Sequence, residues 1–286
     1  MSQSVLRRIA VVTDSAADIP PQLIQKYGIQ VEPLILIMGS KNWRDGIDID
    51  PPAFYELLHN SSSFPTTSQP TVASFVECFS EASRDKDGVV AVLVSDELSG
   101  TLDSARAAAE KLPDIPIALV DSRAASMQLG FTVLAAARAA ESGADLEEVV
   151  ATARALVGRT HIYFLVDTLE YLHRGGRIGA AARLVGSALN LKPILEIRDG
   201  IVTPLTRVRT RRKAMETLLN LLEEQLTEGD QIHMAVLHVA APTEATSLAE
   251  KLEARFHPEE LIENECGPVL GAHAGPGTLG VAFYVE

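Results

Sequence analysis

An α/β architecture with a parallel sheet is predicted by three features of the 286-residue sequence: short continuous apolar runs, helical patterns between them, and polar clusters directly after the runs. Ile9-Ala10-Val11-Val12 stops at Thr13-Asp14-Ser15 and reads as a buried strand. Pro20 and Pro21 then open a helical pattern that reaches Tyr27, since proline fits the first helical turn. The alternation of strand and helix returns over residues 31–38, 71–82, 89–94, 100–112, 117–120 and 127–142. In sheets of this kind sites gather at the C-terminal ends of strands, which directs attention to residues 13–15, 95–101 and 121–122.

A Glu- and Ala-rich helical segment over residues 145–159 leads to a new apolar run at residues 162–166. The expected domain boundary falls there, giving an N-terminal domain over 1–160 and a C-terminal domain over 161–286. Beyond it, Asp199-Gly200 between two apolar runs signals a hairpin, so the second sheet is expected to be mixed. Residues 210–227 read as a long amphipathic helix, 232–239 as a strand, 242–256 as a helix and 279–285 as a closing strand.

Composition removes several function classes. Hydrophobic residues make up 47% and charged residues 22%, so a disordered or low-complexity chain does not fit. The net charge of −13 disfavours nonspecific binding to nucleic acid or an anionic membrane. Cys78 and Cys266 share no metal-ligand spacing, no metal site is expected, and both read as buried apolar residues of a reducing compartment. No apolar run approaches the roughly 20 residues of a membrane helix, and no secretory h-region precedes Thr13-Asp14-Ser15, so a cytoplasmic location is expected.

The charge is uneven: residues 1–160 carry −8, residues 161–214 carry +6, and residues 215–286 carry −11. The basic stretch contains Arg174, Arg177, Arg183, Lys192, Arg207, Arg209, Arg211, Arg212 and Lys213. It reads either as a solvated face or as a docking surface for an acidic protein or a phosphate.

Four motifs carry candidate chemistry. Pro65-Thr66-Thr67-Ser68-Gln69-Pro70 sets hydroxyls between prolines before a helix, where they serve as helix caps or as pre-aimed ligand donors. Residues 95–101, ending Ser99-Gly100-Thr101, follow a strand and open a helix, an anion site in principle. They form neither a phosphate loop nor a hydrolase nucleophile elbow. Arg174-Gly175-Gly176-Arg177 permits a positive-φ turn that would project both guanidinium groups. His273-Ala274-Gly275-Pro276-Gly277 is read as a glycine-dense loop with one titratable group, structural or close to a ligand.

Taken in order along the chain, these runs resemble the DegV family. Residues 12–20 are similar to its Thr-Asp-Ser segment, Thr67-Ser68-Gln69-Pro70 to its Thr-Ser-Gln-Pro, and Leu98-Ser99-Gly100-Thr101 to its Leu-Ser-Gly-Thr. Asp121-Ser122, residues 169–178, Lys192-Pro193-Ile194, the Arg207, Arg209 and Thr210 helix approach, and residues 273–277 continue the match. Ala274 stands where many members have Thr, and Gly179 where Ser is common.

The resemblance implies two α/β domains holding one long-chain fatty acid between them, with no other cofactor. It also implies that the bound acid is presented to a separate ATP-dependent kinase subunit, which makes the acyl phosphate used in phospholipid synthesis. The chain itself would not be an enzyme. By this carry-over Thr67, Ser99 and His273 hold the carboxyl group, Ser68, Gly100, Thr101 and Gly275 are further site candidates, and Arg174, Arg177, Arg207 and Arg209 meet the kinase. Physical chemistry agrees with such a ligand: burying about 15 methylene and methyl groups at roughly 0.8 kcal/mol each contributes on the order of 12 kcal/mol before costs. The contrasting reading is a serine esterase using Ser99, His273 and Asp14 or Asp121.

Overall fold

The computed structural model of the chain describes residues 8–185, 191–227 and 229–286. Its first part runs β1 (Ile9–Asp14), α1 (Pro21–Tyr27), β2 (Gln30–Glu32), β3 (Ile35–Met38), β4 (Lys41–Arg44), α2 (Pro51–Asn60), β5 (Thr66–Ser68) and α3 (Val72–Ala82). It continues through β6 (Gly88–Leu93), α4 (Thr101–Ala109), β7 (Ile117–Asp121), α5 (Met127–Glu141) and α6 (Leu146–Leu156). The fully buried runs β1 and β6 take the centre of a four-stranded sheet of order β2-β1-β6-β7, parallel throughout. Phe75, Phe79, Leu102 and Ala105 of α3 and α4 cover one face of this sheet.

Residues 31–38 do not form the single strand expected. Proline has no N–H to give a ladder, and the run divides around Pro33. Residues 30–32 join the parallel sheet, whereas Ile35–Met38 turns into a separate antiparallel sheet of order β4-β3-β5. The hydroxyls of residues 66–68 are correspondingly not helix caps. They lie on β5, and Thr71 caps α3 by accepting from the Ser74 N–H.

The second part comprises β8 (His161–Leu165), α7 (Glu170–Arg174), β9 (Lys192–Arg198), β10 (Ile201–Val208), α8 (Arg211–Glu223), β11 (Ile232–His238), α9 (Pro242–Phe256), β12 (Glu260–Glu265), α10 (Pro268–Ala274) and β13 (Leu279–Val285). Its six-stranded sheet has the order β10-β9-β8-β13-β11-β12 and is mixed, with β11 and β12 parallel and the other neighbours antiparallel. The hairpin turn forms at Asp199 (φ 54°) and Gly200 (φ 85°). Strand alternation gives this sheet two apolar faces. Leu165, Met234, Val236, Val281 and Phe283 pack outward with Leu218, Leu222, Leu248 and Leu252 of α8 and α9. Ile162, Phe164, Leu237 and Ala282 face the other way, into a core shared with Ala16, Val94 and Phe131 of the first part.

His273 lies in the last turn of α10, not in the loop expected. Pro268 at the helix start and Gly275, at φ 80°, just beyond its end delimit a seven-residue helix.

Polar ties fix the two parts against each other. Ser95 Oγ donates to the Gly200 carbonyl at 3.0 Å, and the Arg123 guanidinium to the Asp199 carbonyl at 2.8 Å. Asp18, held in the left-handed region at φ 50°, accepts from the Gly267 N–H at 2.9 Å and the Ser126 hydroxyl at 2.8 Å. Its carbonyl accepts from the Asn264 amide at 2.7 Å. Asp14 joins the ends of β1 and β6 by accepting from the Ala16 and Val94 N–H groups.

Burial pushes Asp14 and Asp18 up to about 7 and Asp45 up to about 6, against the lowering effect of their hydrogen bonds. Raised values mean that the fold holds these protons more tightly than the unfolded chain. Their contribution is therefore most favourable below the unfolded carboxylate range and is lost as pH rises through 6 to 7. Asp18→Asn keeps an acceptor for Gly267 and removes one of these titrations. The wild type should gain roughly 1 kcal/mol more than this variant between pH 8 and pH 6.5, measured from urea unfolding midpoints. Equal slopes in both proteins would contradict the assignment.

Candidate functional site

A cavity opens where the loops after β1, β6 and β7 meet the inward face of the six-stranded sheet. Its walls are mainly apolar: Ala16, Val94 and Ala125 come from the first part, and Ile162, Phe164, Leu237 and Gly280 from the second sheet. Leu34 and, from α10, Val269 and Leu270 add to the lining. Thr67, Ser99, Arg177 and His273 supply polar lining: Thr67 and His273 are bonded to each other, and Arg177 is bonded to the backbone next to Ser99.

Thr67 reaches the cavity because β5 pairs with β3, placing it opposite Leu36. His273 arrives from the end of α10, and Thr67 Oγ1 shares a 2.8 Å hydrogen bond with His273 Nε2. Arg177 donates to the carbonyls of Leu98 (3.0 Å) and Gly175 (2.8 Å), linking α7 to the loop after β6. Ser99, in that loop, pairs with the Thr101 hydroxyl at 2.8 Å. A side chain at Gly100 would press on the Gln69 amide, so this loop and the end of β5 are in contact as well.

Burial lowers the His273 pKa to about 4, and the Arg177 cation adds to the lowering. The imidazole is neutral at pH 7. Its Nδ1 is buried without a hydrogen-bond partner among the described residues and lies against Gly175, where a Cβ would collide with it. The glycine therefore serves close approach: its own φ is −74°, and the positive φ of 74° belongs to Gly176.

The remaining expected site residues are distributed as follows. Ser68 lines the cavity, whereas Gly100, Thr101 and Gly275 do not. A side chain at Gly275 would strike the Tyr171 ring. The two arginines of the glycine turn diverge: Arg174 lies over the Phe64 ring at 3.8 Å and pairs with Glu170, while Arg177 turns into the cavity. Arg207 and Arg209 are exposed at the end of β10. Lys192 and Arg211 pair with Asp167, Arg211 also with Glu244, and Arg212 with Glu216, so part of the +6 is neutralised locally.

The esterase constellation is not assembled. Ser99 bonds Thr101, His273 bonds Thr67, and Asp14 is engaged by two backbone N–H groups. Asp121 accepts from the Arg123 N–H at 2.8 Å. Among the described residues no cluster of three or more His, Cys, Asp or Glu is arranged to hold a metal ion, and no helix is long and apolar enough to cross a membrane.

Sequence reasoning missed two features of the site. Arg177 was grouped with the surface arginines because charge counting carries no direction. The contact of Gly175 with His273 joins positions far apart in the chain and has no local signal.

An α/β protein with a parallel and a mixed sheet and an apolar cavity lined by a few polar side chains is the class defined by this geometry. The chain belongs to the DegV family, whose model, described as "Uncharacterised protein, DegV family", matches residues 8–286. It is 41% identical over 277 residues to a DegV domain-containing protein of Streptomyces coelicolor, covering 96% of this chain and 98% of that one. It is 35% identical over 283 residues to Protein DegV of Bacillus subtilis, covering 96% and 98%. Among solved structures, a fatty acid-binding DegV family protein from Thermus thermophilus superposes with a TM-score of 0.92 at 37% identity, covering 98% of this chain and 100% of that one. DegV of Bacillus subtilis, described as a fatty acid binding protein, gives 0.91 at 33% identity, covering 98% and 100%.

Gly175→Ala should displace His273 from Thr67 and admit water. The imidazole should then titrate closer to the ordinary histidine value near 6.5, while the wild-type ring stays neutral down to about pH 5. Proton NMR of the His273 ring across pH 4–8 distinguishes the two. Identical titrations would show that Gly175 does not control the histidine.

Proposed function

We propose that this chain binds one long-chain fatty acid in the cavity between two domains, 1–160 and 161–286, and presents its carboxyl group to a separate ATP-dependent kinase subunit. The observation that carries the proposal is that Thr67, Ser99, Arg177 and His273 line one otherwise apolar cavity, with Thr67 bonded to His273 and Arg177 to the backbone beside Ser99. An amphiphile with a long tail and one compact acidic head suits such a lining. The fatty acid binding of the Thermus and Bacillus relatives supports the same ligand class.

In this reading the tail supplies most of the affinity through burial of apolar surface. The head is held by the Thr67 and Ser99 hydroxyls in the field of Arg177. His273 acts chiefly through Thr67: when neutral Nε2–H donates to Thr67 Oγ1, the threonine hydroxyl proton is free to donate to the carboxylate. Neutrality of the ring matters here, since a second fixed cation beside Arg177 would hold the head more firmly in its ionised form. The kinase then supplies the phosphoryl group, and this chain positions the accepting oxygen without catalysing the transfer by itself. A cytoplasmic place in phospholipid synthesis follows from that role.

Lipid extraction and native mass spectrometry of the purified protein should reveal one fatty acid per chain. A protein that carries none and takes none up would overturn the proposal. Thr67→Ala and Ser99→Ala should each weaken retention by about 1–3 kcal/mol, through loss of a hydrogen bond to a buried acceptor. Unchanged occupancy in the double variant would argue against the carboxyl cradle.

The kinase step is tested separately. His273→Ala should stay lipid-loaded but be phosphorylated slowly, and wild-type kinetics would make the histidine structural. Arg207→Ala and Arg209→Ala together should leave lipid binding intact and slow phosphorylation, most at low ionic strength, where an exposed basic surface steers best. Equal rates at low salt would remove these residues from the docking surface.

A further inference from the structure

The polar cluster fixes one part of the cavity, and β13 leads away from it. Thr278 Oγ1 donates to the Ala274 and Gly275 carbonyls at 2.9 Å, anchoring the start of this strand to the end of the helix that carries His273. Gly280 lies two residues further along, about 6.7 Å down the strand. It is the β13 residue whose inward position borders the cavity. Its neighbours in the same cross-strand row are Leu237 of β11 and Phe164 of β8, both large and both lining the cavity. A notch one side chain deep therefore crosses the floor between them.

Backbone conformation does not require glycine there. Gly280 is not among the residues with positive φ, and glycine inside a strand weakens it. A Cβ at this position would meet Phe164 Cβ at 3.3 Å, which requires that neighbour to give by a few tenths of an ångström, and would make ordinary contacts with the Tyr163 carbonyl at 3.6 Å and Ile162 Cδ1 at 3.8 Å. What the missing side chain provides is depth in the cavity. The next inward residues of β13 grow in size, from Ala282 to Tyr284, and Tyr284 is closed off by an edge contact with Phe131 at 5.1 Å.

We infer that Gly280 is a specificity-determining residue: the acyl chain lies in the notch between Leu237 and Phe164, and the depth of that notch sets how long a chain the protein accepts. This rests on the fatty-acid reading above. It adds a chain-length gate at a residue that makes no hydrogen bond within the polar cluster.

The test is a competition among decanoic, palmitic and stearic acids for the delipidated full-length protein, read by native mass spectrometry. Gly280→Val should lower the stearic-to-decanoic ratio by about tenfold or more, the range expected for one or two misplaced methylenes in an apolar pocket. Gly280→Ala, the milder change, should lower it several-fold and serves if the valine variant folds poorly. Leu237→Ala widens the notch from the adjacent strand and should move the ratio the other way. An unchanged ratio in folded Gly280→Ala, or equal loss of all three acids, would overturn the gate. A wild-type protein that takes up none of the three overturns the fatty-acid reading itself, an outcome distinct from a wild type that binds and variants that do not discriminate.

Discussion

Asp18 is the residue on which the arrangement of the two parts turns. One side chain and one carbonyl, held at φ 50°, engage Ser126 before α5, Gly267 before α10 and Asn264 on β12. These bonds set where α10 begins, and a seven-residue helix leaves little freedom in where it ends. The position of His273, and so its meeting with Thr67 from the opposite part of the chain, follows from that start. A buried carboxylate is a costly fastener, as its raised pKa records. Its compensation is four short segments held in register by one group.

The same economy of polar groups governs the cavity. Its apolar walls come from loops of the first part and from the inward face of the six-stranded sheet. The Ser95 bond to Gly200 and the Arg123 bond to Asp199 hold the hairpin turn against the loops after β6 and β7. Within this frame polar groups are braced separately, Arg177 by two carbonyls and His273 by Thr67. Preorganised donors of this kind lose little freedom when a ligand arrives.

Much of the architecture was legible in the sequence. Buried strands such as residues 9–12 and 89–94 announce themselves as apolar runs, and Asp199-Gly200 announced its hairpin. The failures share a cause. Residues 31–38 look continuous because hydropathy does not register which sheet a strand joins, although Pro33 marked the break. The helix that carries His273 was hidden by the glycines that follow it, even with Pro268 at its start. The motifs single out candidate site residues but not their partnerships: Thr67 and His273 lie 206 positions apart, and no local pattern encodes a contact across that distance. Arg177 shows the same limit, since a charge count cannot distinguish an arginine turned inward from its exposed neighbour Arg174.

The placement of the cavity has a consequence for how the molecule would respond to being filled. Its walls are drawn from both halves, with Val94 and Ala125 on one side and Phe164 and Leu237 on the other. Anything lodged there becomes mortar between them, adding cohesion that the empty protein lacks. By mass action, occupancy then raises resistance to heat and denaturant in proportion to the logarithm of free ligand concentration. The melting temperature would then gauge how much of the cavity's ligand was at hand when the protein was made, and preparations from different growth media need not melt alike.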